Sequence, residues 1–518
     1  MGEVNSMYKI MSVEEAIDLI HDGDCICLNS FVGIESPVAL HEAIYEKYHK
    51  MNSPKNLTIV STAGFGIWEE DRCAEGYIRE GAVSKLICGH FGAMPSTKKL
   101  LTKDLFEAYN LPLGCISHAI RAQAAGLPGA ISKVGLDIFV DPRQQGPGIN
   151  SISKSEEYVK LIHLDGQDFL YYKLPKLNVA LIKGTVADKK GNISFDDQFM
   201  SGDALSVCQA VKANDGIVIV QVDRRVVTSS RPRNTIIPGS LVDAIVVVEP
   251  DDYPVSYRAL SGGFEIPYKE WKGWKSMIDD ISNTARKVNP AVKVIGKHAA
   301  KELKPDDLVN IGIGIPEAVA DYARKSGILE KITMTVESGG IGGLPVSGKV
   351  FGAMIGASSV YDMANQFDLY DSGTLDICFM GAFEVDQYGN VNSHYNPNNY
   401  SGIGGFANIT AKTPNVIFCL TFNTKGLSIE RKNNNVTILE NGTIPKFVEN
   451  VSSISFNGKR AIAHGQRVLY VTERCIFELG ENGLKLVEVY PGVDVQKDIL
   501  DLLPFPVEYP AKITPRKK

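Results

Sequence analysis

The chain is poor in the residues that announce metal or hydrolytic chemistry. Only 9 histidines occur in 518 residues; His90, His118 and His394 lack metal-ligand spacing, and no His-Glu-x-x-His run or Cys/His cluster accompanies them. A metal is therefore not expected. The 9 cysteines form no Cys-x-x-Cys pair, and Cys25, Cys27, Cys378, Cys419 and Cys475 fall in apolar, strand-like runs. Reduced core thiols in a cytoplasm account for that pattern, and the glycosylation-like triplets at Asn192 and Asn408 are then chance matches. No apolar run reaches the roughly 18 residues of a membrane span, and Met1 to Lys9 lacks the basic-then-apolar order of a signal peptide. Positive charge is not in excess: the net charge of −6 argues against a nucleic-acid or anionic-membrane surface. There is no Gly-x-Ser-x-Gly elbow and no Gly-Lys-Ser/Thr phosphate loop. The Gly312-Ile313-Gly314 loop has Glu317 where a dinucleotide fingerprint needs glycine, so serine-hydrolase, nicotinamide and nucleotide-hydrolysing readings fail together.

What the chain does have is a repeat. Composition is that of a soluble globular protein, 44% apolar and 22% charged, and the length calls for two to four domains. Asp24 to Gly33 leads to Pro37 and a helical pattern over Val38 to Tyr48; Asp307 to Ile315 leads to Pro316 and another over Glu317 to Lys325. Gly33 and Gly312 are 279 positions apart, as are Pro37 and Pro316. Each unit reads as strand, glycine loop, proline near a helix start, helix. Ser12 with Glu15 predicts a capped helix ending near Gly23, and Asn289-Pro290 opens one that stops before Pro305. Further on, Asp188-x-x-Gly191-Asn192 matches Asp386-x-x-Gly389-Asn390 at a separation of 198, and both read as turns. Ser201-Gly202 matches Ser401-Gly402.

The two offsets differ by 279 − 198 = 81, which places about that many extra residues in the first half, between about Asp71 and Lys176. The irregular stretch 251–287 reads as a linker between halves 1–250 and 288–518. After Thr413 the pattern becomes strand-rich, with hairpin signals at Asn441-Gly442 and Asn482-Gly483. The fold class is therefore α/β: two duplicated open α/β halves with strand-rich C-terminal hairpins.

The halves differ at one point of chemical interest. Glu337 ends the strand-forming run Ile332 to Val336 and is followed by Ser338-Gly339-Gly340-Ile341-Gly342-Gly343, which presents a carboxylate with almost no side chain around it. In an open α/β sheet the C-terminal end of a strand is where ligands bind. A glutamate after a strand is more often an ordinary loop residue, but aligning the strands sets Leu57 to Ser61 against Thr333 to Glu337, so the first half has Ser61 there. The second half also continues Gly402-Ile403-Gly404-Gly405-Phe406 where the first has Gly202-Asp203-Ala204-Leu205-Ser206. Only the second half keeps both an acid and a glycine cradle. Gly312 to Pro316 forms a strand–loop–helix corner whose amides could hold a pyrophosphate or an amide; taken alone, a turn without ligand reads it equally well.

At these residues the chain resembles the family I coenzyme A transferases, in particular their propionate/acetate group. The resemblance is carried by Glu337-Ser338-Gly339, Ile341-Gly342-Gly343 and Pro345, Phe351-Gly352, Gln366-Phe367-Asp368 with Tyr370-Asp371, and Gly402 to Phe406 with Asn408-Ile409. Asp141-Pro142-Arg143-Gln144 and Thr472-Glu473-Arg474-Cys475 fit it too. It implies the CoA-transferase (NagB/RpiA-like) fold in both halves, and an enzyme that moves CoA between a short-chain acyl-CoA and a free carboxylate. It further implies no permanently bound cofactor, with CoA as substrate and transient adduct, and a homo-oligomer. Glu337 is then the nucleophile and carrier, ionised at neutral pH on an ordinary pKa of ~4.3. The amides of Gly404, Gly405 and Phe406 would be the oxyanion donors, and Gly312, Ile313, Gly314, Ile315, Pro316 and Gly402 would contact CoA. Phe31, Val32 and Gly33 would wall the acyl side or simply pack. The chain departs from the family pattern at Asp362-Met363-Ala364, Ser372-Gly373-Thr374 and Ser393 to Tyr400, which leaves the acyl preference open.

Overall fold

The computed structural model describes residues 8–66, 73–154, 158–226, 228–248, 289–346, 351–396, 400–432 and 435–510. The stretch read as a linker, 251–287, lies outside the described residues.

Two sheets organise the chain. The first is built on β1 (Lys9–Met11), β2 (Cys25–Phe31), β3 (Leu57–Ala63), β4 (Val83–Cys88), β5 (Glu107–Asn110), β6 (Val179–Ala187), β7 (Ile217–Arg225) and β8 (Ala244–Val247), in the order β1-β8-β7-β6-β2-β3-β4-β5. Every neighbouring pair on this path is parallel. The second is built on β9 (Leu308–Ile311), β10 (Thr333–Thr335), β11 (Gly340–Ile341), β12 (Ser359–Val360), β13 (Ile377–Gly381), β14 (Asn415–Cys419), β15 (Arg467–Val471), β16 (Cys475–Gly480) and β17 (Gly483–Val489). Its order is β12-β11-β10-β9-β13-β14-β15-β16-β17. Five parallel strands therefore recur in one order: β8-β7-β6-β2-β3 and β15-β14-β13-β9-β10. Strands such as β2 and β6 are buried along their whole length, as parallel strands covered on both faces must be, and their sequences run Val/Ile/Leu/Cys-rich without alternation.

The turn motifs repeat atom for atom. The Asp188 carboxylate accepts from the amides of Lys190 and Asn192 and from the Asn192 side chain, while the Asn192 side-chain oxygen Oδ1 accepts from the Gly239 amide. Asp386 does the same with Tyr388 and Asn390, and Asn390 accepts from Gly458. The extra residues of the first half supply β4, β5, the helix α1 (Leu113–Ala124) and a separate antiparallel sheet of Ala130–Ser132, Gln167–Tyr172 and Val159–Leu164.

The helices over Val38–Met51, Pro290–Ala299 and Glu317–Ser326 form where the pattern placed them. Other expectations shift. The capped helix at Ser12 has its capping box but spans only Val13–Ile17. Asn441-Gly442 closes no hairpin: Asn435–Asn441 pairs with Leu427–Lys432, and Ile444–Pro445 with Asn423–Thr424. The hairpin β16–β17 turns at Glu481-Asn482, with Gly480 opposite Gly483.

The ladders also correct the alignment of the halves. Ile26 stands opposite Val179 as Val309 stands opposite Ile377, and Cys25 opposite Thr58 as Leu308 opposite Thr333. Counting on from these pairs, Glu337 falls at the register of Thr62, not Ser61, and Gly312 at that of Asn29, not Gly33. The cause is length: β2 has 7 residues and β9 only 4, so the second chain leaves its sheet earlier.

Candidate active site

After β10 the chain turns back antiparallel as β11, where the first half instead runs on to the parallel strand β4. The reversal is tight: the Val336 amide donates to Gly340 at 2.9 Å, and the Gly339 amide to Val336 at 3.1 Å. Gly339 sits at φ 117°, and a Cβ there would lie 1.9 Å from the Tyr361 carbonyl oxygen, so only glycine fits. Glu337 stands on this turn, half-buried. Burial pushes its carboxyl up to about 7, against the pull of the Gly405 amide. A Cβ on Gly405 would fall 2.7 Å from both Cδ and Oε2 of Glu337, so the glycine is what lets the backbone meet the carboxylate. Gly405 immediately precedes the helix α2 (Phe406–Lys412). Beneath the strand end lies a polar network: the Tyr370 hydroxyl donates to Thr335 Oγ1 at 3.1 Å and accepts from Gln366 Nε2 at 2.8 Å and Asn310 Nδ2 at 3.3 Å. Gln366 and Tyr370 are four apart on the helix α3 (Met363–Asp371), hence on one face.

Of the three expected oxyanion donors, only Gly405 faces Glu337. The Gly404 amide donates to the Gly89 carbonyl at 2.7 Å and the Phe406 amide to Ile403 at 3.2 Å, so neither is available as placed. Gly402 is corrected as well. It is buried against the first half, where a Cβ would meet the Gly89 carbonyl oxygen at 2.8 Å and the Phe91 ring at 2.9 Å. The loop Gly312, Ile313, Gly314, Ile315, Pro316 does leave β9 at the same C-terminal edge as Glu337, one strand away. Its first amide is held by Phe379 at 2.8 Å, Ile313 is 38% exposed, and the space beside Gly314 is open. Pro316 precedes the helix Glu317–Ser326.

The first half braces the turn of Glu337. Phe31, Val32 and Gly33 are buried. The Phe31 ring lies 5.9 Å from that of Phe351 and against Gly352, whose carbonyl accepts from Ser338 Oγ. The Phe199 ring packs on Gly340. Sequence reasoning missed the residue that ties these two braces together. Glu35 is buried, its carboxylate meeting the amides of Phe199 and Met200 and the Gln198 side-chain amide; desolvation pushes it up to about 8, against the charge of Lys183. Lys183 itself pairs with Asp223. Val32 and Glu35 both sit at φ 57°, a strained choice for a β-branched and an acidic residue that the tie holds in place. Those two positive φ angles have no sequence signature.

All 9 cysteines are free and buried, and where Cys thiol shifts are resolved desolvation raises them. Among the described residues no helix is long and apolar enough to cross a membrane.

A parallel sheet thus delivers one desolvated carboxylate to its C-terminal edge, beside an open glycine loop. The chain matches the sequence model of the Coenzyme A transferase family over residues 10–248 and 292–497, and it belongs to that family. It is an enzyme whose substrate is coenzyme A. It is 38% identical over 504 residues to the acetate CoA-transferase YdiF of Escherichia coli K12, covering 97% of this chain and 93% of that one. To the caffeate CoA-transferase of Acetobacterium woodii it is 37% identical over 514 residues, covering 96% and 94%. The crystal structure of the YdiF apoenzyme from E. coli O157:H7 superposes with a TM-score of 0.89 at 35% identity, covering 99% of this chain and 95% of that one. The same protein's thioester complex with CoA gives 0.88, covering 99% and 96%.

Proposed function

We propose that the chain transfers CoA from a short-chain acyl-CoA to a free carboxylate in two half-reactions, with Glu337 as the nucleophile that carries CoA between them. The observation that carries this reading is the contact between the Glu337 carboxylate and the Gly405 backbone, which leaves no space for a side chain. The Glu337 oxygen attacks the acyl-CoA carbonyl and the C–S bond breaks, giving a mixed anhydride and CoA thiolate. The thiolate then adds to the glutamyl carbonyl, and the first carboxylate leaves. The acceptor carboxylate runs both steps in reverse. No proton moves in these steps, so no histidine is required. The ordinary acidity first expected for Glu337 does not hold, because burial brings its pKa to about 7 and only the ionised fraction attacks. Gly405 is the amide supplied to the developing oxyanion, a contribution of about 3 kcal/mol in enzymes generally.

The acceptor class, acetate, propionate, butyrate or a similar acid, follows from the likeness to acetate and caffeate transferases. Phe31, Val32 and Gly33 wall the acyl side, and Gly312 to Pro316 cradles CoA. We place the enzyme in the cytoplasm, in keeping with its free thiols, as a homo-oligomer whose chain comprises two halves, 1–250 and 288–518, joined by a linker over 251–287. The test is to incubate the protein with acetyl-CoA, add borohydride and weigh the peptide that contains residue 337. Reduction at Glu337 is expected; full turnover with that residue unmodified would refute the covalent route. Thiol release that ignores added acetate would mark a hydrolase instead.

A further inference from the structure

A cavity of about 1260 Å³ opens at the seam between the halves, away from Glu337. Gly373, Pro414 and Gln466 line it, and these residues shortly precede β13, β14 and β15, so it lies at the N-terminal edge of the sheet whose C-terminal edge carries Glu337. Its volume exceeds the several hundred Å³ of most small-molecule sites.

Two kinds of wall meet there. Ala122, Ala130, Val134 and Phe169 give it an apolar side. Lys133, Lys412, Arg460 and His464 give it a basic one, and these four lie close together: burial first, then the charges of Arg460, Lys133 and Lys412, disfavour the protonated form of His464, against the charge of Asp137. The basic side is incompletely neutralised. Arg460 pairs with Asp137 at 2.9 Å. Lys133 reaches Gln167 and lies 5.2 Å over the Phe169 ring, and Lys412 packs beside Gly373; among the described residues neither has a carboxylate within ion-pair distance. The acids in the wall are engaged already, although Asp371 also lies within reach of the Lys412 charge. Asp368 holds His118 and Arg121, both at 3.0 Å, and Asp371 accepts from Asn408 at 2.9 Å.

We propose that this cavity is a second ligand site, for an organic polyphosphate of the nucleotide class, separate from the site around Glu337. Two lysines without a carboxylate partner among the described residues, beside the paired Arg460, match several negative charges better than the single charge of a short carboxylate. Phe169, one face of which Lys133 already covers, adds apolar surface beside the cations against which a base can lie. The site also has a material link to the nucleophile. Lys412 is the last residue of α2, the helix that Gly405 precedes, and Asn408 within it bonds both Asp371 and the Gly114 amide of α1.

The experiment is titration calorimetry of the full-length protein with adenosine triphosphate, and with inorganic pyrophosphate as the head group alone. One nucleotide per chain is expected, bound at least tenfold more tightly than pyrophosphate. Lys133→Ala with Lys412→Ala should weaken it at least tenfold, and Arg460→Ala, which keeps both lysines, should weaken it independently. Absence of binding at millimolar nucleotide would overturn the proposal, as would affinity unchanged in both variants. Equal affinity for pyrophosphate would overturn the nucleotide assignment.

Discussion

Replacing Glu337 by glutamine exchanges the carboxylate for a neutral group of the same shape, and the structure assigns that exchange two opposite effects. The carboxyl is raised from the ordinary 4.5 to about 7 by burial. A group whose folded pKa is raised holds its proton longer in the native state, so stability falls as pH climbs from 4.5 to about 7 and stays lower above it. At about 1.4 kcal/mol per pH unit, the interval corresponds to about 3 kcal/mol. Glu337→Gln never acquires that buried charge. Its melting temperature should therefore exceed that of the parent at pH 8, and the difference should shrink steadily as the pH falls toward 4.5. Turnover should drop by about a thousandfold or more, as when a covalent nucleophile is lost. In the parent enzyme kcat/KM should rise with pH through about 7, since at pH 6 only about a tenth of the carboxyl is ionised. Thermal unfolding of both proteins from pH 5 to 8.5, with initial rates over the same range, makes the measurement. A variant less stable than the parent at pH 8, or a rate flat between pH 5.5 and 8, would refute the assignment of a desolvated nucleophile.

Three further outcomes follow from other contacts. Gly405→Ala would put a methyl 2.7 Å from the carboxylate and should lower kcat by about a hundredfold, with the far-ultraviolet circular dichroism unchanged. Glu35→Ala removes the tie between the Val32 loop and Phe199; kcat/KM should fall about tenfold or more, and Glu35→Gln, which keeps the oxygen acceptor, should recover most of it. Arg474 is fully buried, bonded to Glu473 at 2.6 Å and to Asn441 and the Asp498 carbonyl, so Arg474→Ala strands a buried acid and should cost about 3–5 kcal/mol in urea unfolding.

The duplicated architecture was legible because strand, glycine loop, proline and helix recur as local signals, and because Asp188 and Asp386 announce their turns through residues two to four positions away. Local signals do not fix register. Glycine and proline aligned Gly33 with Gly312, whereas the ladder set Asn29 there, because strand length is decided by the neighbours a strand finds. Glu337 could be singled out from its position after a strand and before glycines. Its acidity could not, since the burial that raises it and the Gly405 amide that opposes it depend on how distant parts of the chain fold together. The same reason hid the fate of Gly402 and Gly404: a glycine run advertises close approach without saying what approaches, and here it is Gly89 and Phe91 of the other half. Glu35 was invisible for want of any motif, its significance resting on Gln198, Phe199 and Met200 far along the chain.

The register that moved Glu337 opposite Thr62 has one more consequence. Thr62 Oγ1 donates at 2.9 Å to Asp203, and Asp203 immediately precedes the helix Ala204–Ala213 as Gly405 precedes α2. In both halves, then, the end of the same strand touches the start of the following helix through one carboxylate. In the first half the acid grows from the helix and is quenched by the hydroxyls of Thr62 and Ser117. In the second it grows from the strand and meets the bare peptide of Gly405. Two copies of one scaffold have thus come to hold a mortise and a blade, distinguished by which side of a single joint bears the acid.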